Sequence, residues 1–254
     1  MTGTGRVVFG DDGGEASDRA WRWLAAHGWP GWTIDGLTAD TDPAHIRWGQ
    51  PPQPTEWTPG WARDPADIPS ATVRHLRAVA DPRFLLAATD ADLLVVGIRE
   101  RSGVRARLMG STAEWLLHHP PAPLAVVRRT DPVRSVLVCA DGSTHADRAI
   151  RSFVTLPLAG DCTVTVLTVA DGRAQAGTAE SVASDISAYV HAVSTLELSG
   201  DPTDAILDTA HDTDCDLIVM GTRGLTGWQR LRLGSTASTV VHAVHRDHLL
   251  ASVD

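Results

Sequence analysis

Lysine is absent from this chain of 254 residues; all 22 of its basic residues are arginine. That excludes Schiff-base chemistry and the phosphate-gripping lysine of a P-loop. Cysteine is scarce: Cys139, Cys162 and Cys215 show no CxxC spacing, and each lies in or beside an apolar run. They read as small buried hydrophobes, not as a disulfide framework or a metal set. Net positive charge is also missing. The formal net charge is −9, which argues against a general nucleic-acid binder, since such binding works by releasing counterions from phosphates. No apolar run approaches the roughly 18–20 residues that span a bilayer. The start, Met1 to Phe9, has one arginine and no long apolar core, so no secretory signal or membrane association is read there and the expected location is the cytoplasm.

What is present is ordinary for a globular protein: 43% hydrophobic and 21% charged residues. The length suits one large domain or two of ordinary size. An internal repeat decides between them. VVFGDDGGEASDRAWRWL (7–24) matches VLVCADGSTHADRAIRSF (136–153): an apolar strand, Asp-Gly-small, then Asp-Arg-Ala opening a helix. The stretch from Ala80 to Gly97 matches Gly200 to Gly221: Asp-Pro, a helix, then an apolar strand ending in glycine. LMGSTAEWLLHH (108–119) matches RLGSTASTVVHA (232–243). Three matches in one order at nearly one offset indicate duplication.

The runs VVFG, DLLVVG, PLAVV, SVLVCA, TVTVLTV and DLIVMG are continuously apolar. Such runs suit strands buried on both faces of a parallel sheet covered by helices. Strand and helix patterns alternate, which implies a doubly wound α/β fold with ligands at the carboxyl ends of strands. The linker falls near Arg129-Thr130-Asp131-Pro132, giving expected domains 1–130 and 131–254. The halves then diverge. Residues 40–70 are rich in proline and tryptophan with no helical period, and read as a loop or cover. Arg173 to Val193 reads as a helix in the second half. Eight of the nine tryptophans lie in the first half; packing in core and loops is their expected role, with a surface for stacking bases or adenine as the alternative.

The stretch that carries chemistry is GTRGLTGWQRLRLGSTA, Gly221 to Ala237. It follows the strand DLIVM and opens a helix at Ser235. Glycine permits close backbone approach to an anion. Ser235 is a suitable N-cap, and the helix start offers unpaired N–H groups and a positive dipole end. Together they form a phosphate nest that needs no lysine. A tight turn without ligand is the plain alternative. No GxGxxG is present, so a dinucleotide fingerprint is not supported.

The order strand-Asp-Gly-Ser, Gly-Asp-Pro, then G-x2-G-x9-G-[ST] resembles the universal stress protein family over both halves of the chain. The resemblance implies two tandem doubly wound domains, each with a five-stranded parallel sheet flanked by helices, paired through their last strands as a pseudo-dimer; a further homodimer stays open. It also implies ATP binding, as in many members, whereas others have lost the site. In the second half it assigns Asp141 and Val169 to the nucleoside, and Gly221, Gly224, Gly234, Ser235 and Thr236 to ribose and phosphates. Mg2+ could bridge the phosphates without a dedicated protein ligand. Arg223, Arg230 and Arg232 read equally as phosphate partners or as solvated side chains.

The first half departs from the pattern. Asp12, Gly97, Gly110 and Ser111 are kept, but Glu100 replaces the middle glycine. A carboxylate about 4 Å from a phosphate charge costs roughly 4 kcal/mol at intermediate dielectric, which nearby Arg99, Arg101, Arg105 and Arg107 offset in part. One ATP site beside a degenerate partner is therefore expected. His118, His119, His242, His245 and His248 read as structural or surface residues; no carboxylate or cysteine completes a metal set at helical spacing. No G-x-S-x-G elbow, general base or arginine finger is evident, so no catalytic residue is assigned and any hydrolysis is expected to be slow. The expected function is an ATP-binding stress-response regulator. The alternatives are an interaction module with purely structural loops, and a slow adenine-nucleotide hydrolase. Signal and protein partners are not legible.

Overall fold

The first element shows how each half is built. In strand β1, Arg6–Gly10, the side chains of Val7, Val8 and Phe9 are wholly buried. The second half repeats this in β7, Ser135–Cys139, with Val136, Leu137 and Val138. Strands buried on both faces sit in the middle of a parallel sheet covered by helices. The computed structural model describes residues 4–42, 51–61, 63–98, 109–170, 177–223, 233–244 and 246–251. It folds as two units, Met1–Pro132 and Val133–Asp254.

In the first unit β1 is followed by α1 (Glu15–Ala25), β2 (Thr33–Asp40), β3 (Thr55–Glu56), β4 (Thr72–Val79), α2 (Pro82–Ala87), β5 (Leu93–Gly97), α3 (Ser111–His118) and β6 (Leu124–Val127). The second unit follows β7 with α4 (Thr144–Thr155), β8 (Thr163–Ala170), α5 (Thr178–Ile186), β9 (Ala192–Ser199), α6 (Pro202–Asp212), β10 (Leu217–Gly221), α7 (Ser235–Ala243) and β11 (Asp247–Ala251). The parallel order is β4-β2-β1-β5-β6 in the first and β9-β8-β7-β10-β11 in the second. Both orders reverse beside the first strand of the unit, and such switch points open a crevice at the strands' carboxyl ends.

The helices carry the sequence signals expected of them. Asp81 and Asp201 cap α2 and α6, accepting from Arg83 N at 2.9 Å and Thr203 N at 2.8 Å, and proline takes the next position in each. Proline is suited there because its missing N–H would be unpaired anyway. The amphipathic α1 buries Ala20, Trp21, Trp23 and Leu24, and α4 buries Ala146, Ala149, Ile150 and Phe153. In the first unit's core Trp29 packs edge to face on Trp32 at 5.5 Å and at a tilt on Trp23 at 6.0 Å. The tryptophan excess of that half is largely packing.

Three expectations change. The helix read over 173–193 is shorter, and its end belongs to a turn and to β9. That strand lies at the margin of the parallel order, and its residues alternate between half-buried and exposed, so it lacks the continuous apolar run of a central strand. The first unit adds β3, antiparallel to β4, to its five parallel strands. And within the proline- and tryptophan-rich segment, Pro65–Asp67 forms a 3-10 turn whose Asp67 accepts from Trp21 Nε1 at 2.9 Å.

Candidate nucleotide site

The second unit's crevice begins where β7 ends. Ala140 N donates to Leu167 O, and Thr168 Oγ1 returns a bond to Ala140 O, both at 2.9 Å. These bonds fix the loop after β7 to the end of β8, with Val169 next along the strand. Asp141 Oδ1 accepts from Ser143 N at 2.9 Å, closing the turn around Gly142, whose φ is 77°. The other carboxylate oxygen takes no hydrogen bond among the described residues. Asp141 thus serves as a turn former with one oxygen to spare.

Ser143 ties the two sides of the crevice together. Its hydroxyl accepts from Ala146 N at 3.2 Å, capping α4, and donates to Arg223 O at 3.4 Å in the loop after β10. Gly221, the last residue of β10, lies against the start of α4: a Cβ there would stand 2.6 Å from Ala146 N. Only glycine lets strand and helix approach so closely. Gly97 does the same in the first unit, where a Cβ would stand 1.7 Å from Ala16 O. These glycines are therefore required by packing, whatever else lies beside them.

The loop returns to its origin. Gly234 N donates to Thr222 O at 2.7 Å, which sets the start of α7 beside the end of β10. Gly234, not Ser235, is the N-cap. Its backbone is extended, and among the described residues no side chain caps the helix's first N–H groups. Ser235 is the first helical residue, so its hydroxyl is directed differently from a cap. Thr236 follows, 3.5 Å from Thr203 Oγ1 at the start of α6. Thr222 is buried, and its Oγ1 has no hydrogen-bond partner among the described residues.

The structure thus brings Asp141, Gly221, Gly234, Ser235 and Thr236 to the same end of the sheet, with Val169 on the adjoining strand. Gly224, Arg230 and Arg232 lie outside the described residues, as do Glu100 and the arginines around it. Among the described residues no three His, Cys, Asp or Glu side chains cluster as metal ligands. His118 faces Glu114 at 3.5 Å, His119 stacks on Trp115, and His242 bonds Ser238 O; His245 is outside the described residues and His248 is buried in β11. The three cysteines are free thiols. Burial pushes Cys162 up to about 12 and Cys215 to about 11, and Cys139 higher still. Raised thiols are poor nucleophiles at neutral pH.

The sequence profile of the universal stress protein family matches residues 63–128 and 132–251. The chain belongs to the universal stress protein family. A universal stress protein of Methanocaldococcus jannaschii is 33% identical over 97 residues, 38% of this chain and 55% of that relative. The chain thus spans about half the length of this curated relative. Among solved structures, a universal stress protein from Archaeoglobus fulgidus superimposes with a TM-score of 0.68 at 19% identity, covering 98% of this chain and 96% of that one. A functionally unknown protein from Pseudomonas aeruginosa PAO1 gives 0.59 at 15% identity, covering 97% and 92%. At these identities the likeness speaks for the fold, across both units. No helix among the described residues is long and apolar enough to cross a membrane.

Proposed function

We propose that the second unit is a binding site for an adenine nucleotide, ATP, and that this universal stress protein acts as a nucleotide-dependent regulator in the cytoplasm. The observation that carries the reading is the bond from Gly234 N to Thr222 O. It sets an uncapped helix start beside β10, on the side of the sheet that holds the spare oxygen of Asp141. An N-terminus with unpaired N–H groups favours anions through hydrogen bonding and dipole together. Asp141 and Val169 would take the nucleoside. Gly221, Gly224, Gly234, Ser235 and Thr236 would take ribose and phosphates, with the hydroxyls of Ser235 and Thr236 adding donors. Mg2+, where it takes part, would be carried mainly by the phosphates. The reading calls for no general base, so binding without rapid turnover is expected.

Titration calorimetry with ATP tests this, together with chromatography of nucleotide released from the purified protein. One ATP per chain is expected. Gly234→Ala should weaken binding by about tenfold or more, some 1.4 kcal/mol. Its Cβ would stand 3.3 Å from Thr222 O and 3.6 Å from Arg223 Cα, so the backbone after β10 must give by a few tenths of an ångström and the helix start shifts relative to the phosphates; far-UV dichroism checks that the fold is kept. A wild-type protein that takes up no ATP overturns the reading.

A further inference from the structure

The two crevices share one frame and differ in what fills it. In the first unit Asp11 N donates to Leu37 O at 2.9 Å, and Thr38 Oγ1 donates to Asp11 O at 2.8 Å. These bonds repeat those of Ala140 with Leu167 and Thr168. One position on, Asp12 Oδ1 accepts from Gly14 N at 2.9 Å, as Asp141 does from Ser143 N. Asp11 therefore stands where the second unit has Ala140.

That exchange puts a carboxylate, 1% exposed, at the mouth of the first crevice. Both of its oxygens are engaged by the chain's own proline- and tryptophan-rich segment, and Gly13 N also donates to Oδ1 at 3.2 Å. Trp61 Nε1 donates to Asp11 Oδ2 at 2.9 Å, and Arg63 Nη2 to Asp11 Oδ1 at 3.1 Å. Arg63 also reaches Asp18 Oδ1 at 2.7 Å and Ser17 Oγ at 3.3 Å at the start of α1. The Trp61 ring lies on the loop after β1, where a Cβ at Gly13 would stand 2.7 Å from it. The segment is anchored behind by Trp57 N to His75 O at 3.0 Å and by His75 Nε2 against Arg63 O at 3.2 Å, both on β4. It thus runs from β4 to the loop after β1 and the start of α1. In the second unit the loop that corresponds to the one after β1 carries Asp141, and Val169 lies on β8, the counterpart of β2, whose Leu37 and Thr38 bond Asp11.

We propose that Trp61 and Arg63 form a built-in occupant of the first unit's nucleoside crevice, closing it to adenine nucleosides. The indole is a flat bicyclic ring with one N–H donor, comparable in size to a purine, and the guanidinium supplies the cation that makes a buried Asp11 tolerable. The location of the crevice rests on the reading of the second unit; the occupancy does not.

The test uses the full chain and azidoadenosine, a photoreactive nucleoside without phosphates, so that the Glu100 position does not enter. Labelled peptides are mapped in wild type and in the triple variant Asp11→Ala, Trp61→Ala, Arg63→Met, which removes both buried charges together. The wild type should carry label in the second unit alone. The variant should gain label on the peptides containing Asp12 or Thr38. Label in the first unit of the wild type overturns the proposal, and so does a variant with native far-UV dichroism and no first-unit label. Should the variant not fold, hydrogen exchange of wild type decides: protection over 63–68 is expected to be unchanged at saturating adenosine, and any loss overturns the proposal. A wild type unlabelled in the second unit, with a variant labelled in the first, would reject the nucleotide reading and keep this one.

Discussion

Asp11 lies one position before the aspartate that the repeat preserves, and it gives the two crevices different chemistry. Its charge and that of Arg63 are almost wholly out of water, with side chains 1% and 4% exposed. Removing one partner of such a pair strands the other. Arg63→Ala should therefore destabilise the protein by about 3–5 kcal/mol, read from urea unfolding. Asp11→Ala with Arg63→Met should cost markedly less, because no buried charge is left alone. Equal losses in the two variants would mean that packing, not charge, holds the segment. The sequence hides this residue. In the pair Asp11-Asp12 the repeat draws attention to Asp12, and nothing local says that a guanidinium 52 positions away arrives on the other side. By contrast the need for glycine at Gly221 was legible, since a glycine ending a strand before a closely packed helix start carries a backbone requirement by itself. The role of Ser235 was not, because whether a serine is the cap or the first helical residue depends on dihedrals one residue apart.

At the scale of elements, the central strands were readable from their uninterrupted apolar runs, and α2 and α6 from the Asp-Pro pairs that start them. The marginal strands β4 and β9 were not. A strand with a solvated face has the composition of a loop or a polar helix face, and its identity comes from the ladder it joins. The helix start is where a single substitution reports on a whole element. Asp201 accepts from both Thr203 N and Asp204 N. Asp201→Ala should lower stability by about 1 kcal/mol, visible as a drop in Tm, while Asp201→Asn or Asp201→Ser should restore most of it. Asp81 caps α2 in the same way, and its bond from the Arg83 side chain holds its carboxyl below the usual carboxylate range. A lowered carboxyl contributes stability above the unfolded value and loses it as pH falls through the folded one. Asp81 is half-buried, but the side chain of its partner Arg83 is 40% exposed, so that contribution is small.

For the molecule as a whole, the raised thiols set a limit on the alkaline side. In the folded protein burial holds all three protons on, whereas an unfolded thiol releases its proton near 9.0. The unfolded state then binds fewer protons than the folded one, so stability is unaffected below about pH 8.5 and falls as pH rises beyond it. Unfolding free energies measured from pH 8 to 11 should decline, and Cys139→Ala with Cys215→Ala should flatten the decline. A slope that the substitutions leave unchanged would point to other groups. The duplication itself was legible as three matched motifs in one order at nearly one offset. What the repeat could not disclose is that the half in which Glu100 replaces the middle glycine also sets Trp61 and Arg63 against Asp11.

The buried pair of Arg63 and Asp11 has one more property, which comes from chain connectivity. A diffusible ligand leaves its site when it becomes scarce, and its hold on the fold weakens with it. Arg63 is joined to Asp11 by a fixed length of polypeptide, so its local concentration is set by that tether and not by the surroundings. Dilution, dialysis or a fall in any metabolite leaves it in place.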